Sequence, residues 1–147
     1  MTQEITVVRT FDAPRELVWD AATKAENFAV WFGTEAVSVP LETLVWDAAA
    51  GHRWSAIMQL PDGSTKPWVG EFVEVDPPSR FVFTLTDVPE APEDATPVTI
   101  TLVSVGEGTE LTLTQLAPGF SPEQLEGLKA GYGAFLDTME RVVASLG

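Results

Sequence analysis

The feature that most constrains this chain is one long amphipathic segment that follows a series of short strand-like segments. From Pro122 to Leu146, at about 100° per residue, the apolar side chains fall on a single stripe about 120° wide. That stripe consists of Leu125, Leu128, Tyr132, Phe135, Leu136, Met139, Val142, Val143 and Leu146. Ser121 suits a helix N-cap and Pro122 the first helical position. The segment is therefore predicted to be a long helix with one buried face.

The predicted helix contains three glycines, each of which disfavours a helix by about 1 kcal/mol relative to alanine. Gly131 borders the apolar stripe, and Gly127 belongs to a shoulder of small residues beside it. Such a shoulder lets a backbone or a ligand approach closely. Gly133 lies on the opposite side and is not explained by this face.

The rest of the chain favours an antiparallel sheet. Its strand-like segments are rich in β-branched and aromatic residues or alternate between apolar and polar side chains. They are residues 4–11, 37–46 (interrupted by Pro40), 52–60, 68–75, 81–86, 98–105 and 110–116. Residues 61–63 and 106–108 have the chemistry of hairpin turns.

Two short helices are predicted after the first strand, one following residues 12–14 and one over residues 25–32, ending at Gly33. Asp12 is expected to cap the first helix, and Pro14 to occupy its first turn. Strands segregated from helices indicate the α+β class. We predict a single domain spanning residues 1–147, with a curved antiparallel sheet of about six or seven strands covered by the long C-terminal helix.

Alternation identifies the sheet face that this helix would cover. The inward series contains Ile5, Val7, Phe11, Trp54, Ala56, Met58, Phe81, Phe83, Leu85, Val98, Ile100, Leu102, Leu111 and Leu113, whereas Thr99, Thr101, Thr112 and Thr114 face outward. Arg9 and Gln115 continue the inward series, where a charge and an amide need partners. Arg9 is expected either to pair with a carboxylate near the sheet end or to be turned outward by twist.

Composition narrows the possible partners. The 147 residues carry a net charge of −14, which disfavours nucleic acid and anionic membranes because both attract clusters of Lys and Arg. The chain has no cysteine, and its start, MTQEITVVRT, shows no secretory signal, so a cytoplasmic location is expected. No apolar stretch approaches the length of a membrane span. The charge leaves a neutral or cationic small molecule, or a protein with a basic patch, as the expected partner, and the predicted assembly is a monomer or a homodimer.

The sequence contains few residues that could bind a metal ion or a cofactor. With one histidine and no cysteine, a zinc or iron site is not expected, and no cofactor is predicted. The sequence lacks a Walker loop, a dinucleotide fingerprint and a nucleophile elbow. Glu90, Glu93 and Asp94 lie in an acidic, proline-rich segment, which is predicted to be a solvated loop rather than a weak site for a divalent cation.

Five segments carry a resemblance to a known family. They are TFDAPRELVWDAATKAENFAVWFG, GHRWSAIMQLPDG, GEFVEVDPPSRFVFTLTD, TELTLTQ and GYGAFLDTME. In this order they resemble the START-like (SRPBCC) helix-grip superfamily, in the branch named after the activator of heat-shock-protein-90 ATPase. The resemblance covers nearly the whole chain. It implies a curved antiparallel sheet that grips a long C-terminal helix, with a largely apolar cavity between them. It also implies that a side chain at Gly131 would press into the sheet or the cavity.

The chain departs from the pattern of that branch at four positions. His52 stands where the branch has the second of two glycines, and Ala49 where an arginine is usual. Tyr132 replaces a common tryptophan, and Gln115 a frequent histidine. The resemblance therefore gives no ground for assigning to this chain a chemistry that the branch carries at these positions.

In a family with a cavity, part of the aromatic core lines it. The predicted ligand-binding residues are Trp31, Phe32, Trp46, Trp54, Met58, Trp68, Phe72, Phe83, Gln115, Gly131, Tyr132, Phe135 and Met139. Gln115 and Tyr132 both point inward, so they either satisfy each other or orient a ligand. His52 is either an exposed residue at the start of a strand or a proton carrier at the cavity mouth.

Three functions fit these observations. The first is a carrier or sensor of a small hydrophobic or aromatic molecule. The second is an enzyme of cyclase, dehydratase or hydrolase type, with Tyr132, Gln115 or His52 handling protons. The third is a co-chaperone-like protein-binding module. The small supply of catalytic groups favours the first, and the fold does not decide between them.

Overall fold

The computed structural model describes residues 4–33, 38–47, 49–86, 90, 95–117 and 119–146. Strand β1 (Glu4–Phe11) leads into helices α1 (Arg15–Thr23) and α2 (Ala25–Gly33). Five more strands and a long helix follow, namely β2 (Arg53–Gln59), β3 (Thr65–Asp76), β4 (Arg80–Leu85), β5 (Thr96–Val105), β6 (Gly108–Leu116) and α3 (Pro122–Leu146). The strands form one six-stranded sheet in the order β1-β6-β5-β4-β3-β2, and every neighbouring pair is antiparallel. The predicted α+β helix-grip architecture is confirmed.

One predicted strand, residues 37–46, is wrong; residue 37 lies outside the described residues. Residues 38–46 make only isolated bridges, from Ser38 to Gln59 and from Val45 to Ser55, on either side of a 3-10 turn at Leu41–Thr43. Pro40 has no N–H to contribute to a ladder, and its carbonyl instead accepts the Thr43 amide at 3.2 Å, which begins the turn. The segment lies against the edge strand β2 without extending the sheet as a continuous strand.

The starts of α1 and α3 use different caps. Pro14 is itself the N-cap of α1, with its carbonyl accepting from the Leu17 and Val18 amides at 3.0 and 3.2 Å, and no side chain caps this helix. The predicted cap from Asp12 is therefore wrong, because Asp12 lies two residues before the cap position. Ser121 does cap α3: its Oγ accepts from the Gln124 amide, while Gln124 Oε1 accepts from the Ser121 amide at 2.8 Å. This reciprocal pair is a capping box.

Alternation places the core as predicted. Most of the inward series is buried, and the outward threonines of β5 and β6 are half-buried on the opposite face. α3 packs against β1, α1 and α2, and it buries Tyr132, Leu136, Thr138, Met139, Val142 and Val143. One layer of helices therefore covers one face of the sheet.

Arg9 lies on the inward side of β1 and bridges to α3. Its Nη1 donates to Asp137 Oδ1 at 2.9 Å and to Glu140 Oε1 at 2.8 Å, and 25% of its side chain remains exposed. Burial lowers the pKa of the Arg9 guanidinium, but the hydrogen bonds to Glu140 and Asp137 outweigh it and raise the pKa above its ordinary value. Of the two expectations for this residue, pairing with carboxylates is the one that the structure shows.

Replacing Arg9 by methionine should lower the free energy of unfolding by about 1 kcal/mol, because it removes two charge-assisted hydrogen bonds between β1 and α3 and keeps most of the apolar stem. Urea unfolding measures this. The matched control is Arg80→Met, since Arg80 makes one exposed pair with Glu74 inside the β3–β4 hairpin and should lose under about 0.5 kcal/mol. Equal losses in the two variants would contradict a special role for Arg9.

Gly70 allows two groups of the sheet to come very close to its backbone. It pairs with Trp54 on the neighbouring β2, and the Trp54 indole reaches past it to donate from Nε1 to the Thr84 carbonyl at 2.8 Å. A Cβ atom at position 70 would lie 1.7 Å from the Thr84 oxygen and 2.6 Å from Trp54 Nε1. Any side chain at this position therefore collides with backbone.

Gly70→Ala should consequently destabilise the protein by several kcal/mol, within the range known for overpacked cores and broken hydrogen bonds. Thermal unfolding followed by circular dichroism gives the measurement. Gly133→Ala serves as the control, because a Cβ there meets no atom within 4 Å and alanine favours a helix. The control should be more stable than the parent, and an unchanged melting temperature for Gly70→Ala would refute the close approach.

Candidate functional site

The interior behind α2 is filled by an aromatic cluster. Phe28 stacks on Trp46 with ring centroids 3.7 Å apart, and Trp54 contacts both rings edge-on. The indole N–H of Trp46 donates to the Thr23 carbonyl at 2.6 Å. Seven of the predicted ligand-binding residues do not line the pocket described next. Six of them lie in the hydrophobic core, namely Trp31, Trp54, Met58, Phe72, Phe83 and Met139, and Trp46 is partly buried against that core.

A pocket of about 420 Å³ lies beside this cluster, between residues 127–135 of α3 and the end of the sheet where β4 finishes and β5 begins. Six predicted residues line it: Phe32, Trp68, Gln115, Gly131, Tyr132 and Phe135. Six further lining residues were not predicted: Leu85, Thr86, Thr96, Phe120, Gly127 and Leu128. For Leu85, Gly127 and Leu128 the signal was present, because they belong to the inward series, the small-residue shoulder and the helix stripe.

Three polar side chains meet at one end of the pocket. The Tyr132 hydroxyl donates to Gln115 Oε1, and Gln115 Nε2 donates to Thr96 Oγ1 at 3.1 Å. Tyr132 and Gln115 are both buried, with 5% and 6% of their surface exposed. The expectation that these two residues satisfy each other is what the structure shows, and both also line the pocket.

Tyr132 is held in its neutral form. Burial raises the pKa of its hydroxyl well above the ordinary value, because the phenolate would lose its hydration. Its proton is already engaged with Gln115. At neutral pH this group is therefore a hydrogen-bonding group and not a source of charge.

No group from elsewhere in the described structure packs closely against the glycines of α3. A Cβ at position 127, 131 or 133 would meet no atom within 4 Å, and Gly131 is exposed. The expectation that a side chain at Gly131 presses into the sheet is therefore wrong at the level of Cβ. Gly127 and Gly131 instead line the open side of the pocket, so their lack of side chains leaves that side unfilled.

His52 does not line this pocket. Its Nδ1 lies 3.0 Å from Asp47 Oδ2, and 52% of its side chain is exposed immediately before β2. This geometry agrees with the first of the two hypotheses for His52, that it is an exposed surface residue.

Neither a metal cluster nor a membrane-spanning helix is found in the part of the chain that the structure describes. No three His, Asp or Glu residues within it are grouped to hold a metal ion. Of the predicted acidic loop, Glu90 is exposed, whereas Glu93 and Asp94 lie outside the described residues. None of the described helices is long and apolar enough to cross a membrane.

The burial of Tyr132 predicts an alkaline transition. Because its pKa is raised in the folded state, its contribution to stability is present below the unfolded pKa of about 10 and is lost as pH rises above that value. Tyr132 is the sole tyrosine, so tyrosinate absorbance reports this residue alone. We expect no ionisation at pH 10 while the protein stays folded. The unfolded chain in urea, which should titrate near pH 10, is the control, and the same titration in the folded protein would refute the burial.

The sequence of this chain matches a known protein family. The family model described as "Activator of Hsp90 ATPase homolog 1-like protein" matches residues 12–144, so the chain belongs to this family of the START-like superfamily. Among curated proteins no match was found. Membership in the family suggests ligand binding or a related function.

Solved structures share the fold. Protein CV1439 from Chromobacterium violaceum is 24% identical, with 95% of this chain and 96% of that chain covered and a TM-score of 0.82. The AHSA1-like protein from Aeromonas hydrophila is also 24% identical, over 99% and 94% of the two chains, with a TM-score of 0.80. The AHSA1 protein SPO3351 from Silicibacter pomeroyi is 18% identical, over 99% and 100%, with a TM-score of 0.83. These similarities establish the fold alone.

Proposed function

We propose that this protein binds a small, neutral, hydrophobic or aromatic molecule in the pocket between α3 and the sheet, as a carrier or a sensor. The observation that carries the proposal is the pocket itself, whose volume of about 420 Å³ falls in the range typical of small-molecule sites. Its walls combine apolar side chains with a few convergent polar groups, which is the usual composition of such sites.

The lining chemistry supports a neutral occupant. The described lining residues are aromatic, aliphatic, glycine, threonine, glutamine and tyrosine, and none of them is charged at neutral pH. An ion in this pocket would lose hydration without gaining a partner of opposite charge. The net charge of −14 further disfavours an anion approaching from solvent.

The same lining disfavours the alternative of catalysis. A general acid or base works best when its pKa lies near the operating pH, and burial moves Tyr132 away from that range. Gln115 and Thr96 do not titrate. His52 lies away from the pocket, so it does not supply the missing group.

Gly131→Leu tests the proposal, because the new side chain fills the open side of the pocket while meeting no backbone at Cβ. Binding of N-phenylnaphthylamine, a neutral fluorophore that brightens in apolar surroundings, should weaken at least tenfold. The protein should melt no lower than the parent, since leucine favours a helix over glycine.

Gly133→Leu is the matched control. It makes the same exchange two residues away on the same helix, with open space at Cβ, and it does not line the pocket. It should keep the affinity of the parent within about twofold while gaining the same helix propensity. Equal loss in both variants, or no saturable binding by the parent, would refute the proposed site.

A further inference from the structure

The polar end of the pocket, formed by Thr96, Gln115 and Tyr132, is built from three separate elements. Thr96 is the first residue of β5, Gln115 lies near the end of β6, and Tyr132 lies in α3. Each of them lines the pocket. The aromatic and aliphatic walls account for the remaining lining side chains apart from Thr86. A polar group on a ligand would therefore meet its best partners at this end.

The hydrogen bonds at the polar end run in one direction. Tyr132 gives its single hydroxyl hydrogen to Gln115 Oε1, so its oxygen can only accept from another group. Gln115 Nε2 donates to Thr96 Oγ1, so Thr96 accepts and keeps its own hydrogen to donate. This row of hydrogen bonds thus offers a ligand an acceptor at Tyr132 and a donor at Thr96.

A hydroxyl group fits whichever end it meets, because it can donate to Tyr132 or accept from Thr96. A carboxylate can only accept, and no described lining residue offers a positive charge to it. An ammonium can only donate, and it finds no carboxylate among the described lining residues. The polar end therefore matches a neutral hydroxyl better than either ion.

Aromatic walls complete the match. Phe32, Trp68, Phe120 and Phe135 line the pocket and offer ring faces and edges to a flat ligand. Building on the proposed function, we propose that the polar end selects neutral aromatic compounds that carry a hydroxyl group, over both their hydrocarbon and their carboxylate analogues. Thr96 and Tyr132 are the residues that bind the hydroxyl, and Gln115 orients them.

Calorimetric titration of the parent protein with naphthalene, naphthol and naphthoate tests this selection on one ring system. In a purely apolar pocket naphthol would bind more weakly than naphthalene, because its hydroxyl would lose hydration without replacement. We expect the reverse order, with naphthol about five- to tenfold tighter, as one or two neutral hydrogen bonds provide. Naphthoate should bind most weakly.

The variant that removes the selection is the triple change Thr96→Val, Gln115→Met and Tyr132→Phe. A single change is less decisive, because removing one member frees the donor or acceptor of the next. In the triple variant the preference for naphthol should be lost, so that the ratio of the affinities for naphthol and naphthalene falls to about one or below, as in a purely apolar pocket. Thr99→Val is the control, since Thr99 lies on the same strand with its side chain on the outward face, and it should keep the preference.

The outcomes separate this inference from the proposed function. Naphthalene binding the parent more tightly than naphthol, or naphthoate binding most tightly, would overturn the hydroxyl selection and leave an apolar site in place. Saturable binding of none of the three compounds would overturn the proposed function itself. The ranking in the parent stands on its own, so it decides the matter even where the triple variant does not fold.

Discussion

An antiparallel sheet with one apolar face must have that face covered, and the rest of this structure depends on how α3 provides the cover. Hydrogen bonds hold the helix in place at two positions. A capping box fixes its first turn, and Arg9 on β1 joins Asp137 and Glu140 in its second half. Between these two positions, a Cβ atom at Gly127 or Gly131 would meet no other atom within 4 Å. The space left there is the pocket.

The interior is therefore divided between a filled region and an unfilled one, which share a wall. Phe32 and Phe135 lie with ring centroids 5.3 Å apart, and both line the pocket. On their other side they contact Trp31 of the buried cluster. A ligand in the pocket would rest on rings that the core already holds in place. Such a wall needs little reordering when a ligand binds, which favours affinity.

Much of the fold was predictable because hydrophobic periodicity reports which face of an element is buried. It identified the six strands and the stripe of α3, and it placed Gln115 and Tyr132 on facing surfaces. The failures have local causes. Pro40 turned an apolar segment into a 3-10 turn, and Pro14 took the cap position expected of Asp12. The turn and the cap both depend on backbone geometry, which the periodicity of side chains does not report.

The pocket itself was less predictable, because periodicity gives direction but not depth. Trp54 and Trp68 lie on neighbouring strands, yet one is buried in the cluster and the other lines the pocket. Thr96 and Phe120 lie at element ends, where no repeating pattern identifies the partner of a side chain. Their position follows from how β5 and the segment before α3 meet in space, which is a tertiary property.

The open space beside the helix glycines has an evolutionary consequence. Because nothing crowds Gly127 or Gly131, alanine at either position would strengthen the helix without any steric penalty. A lineage under selection for thermal robustness alone would accumulate such exchanges, since stabilising substitutions are readily found. Larger residues there would also narrow the pocket step by step. The volume of the pocket can thus drift without endangering the fold, so proteins that share this architecture are free to differ in the size of the space beside the helix.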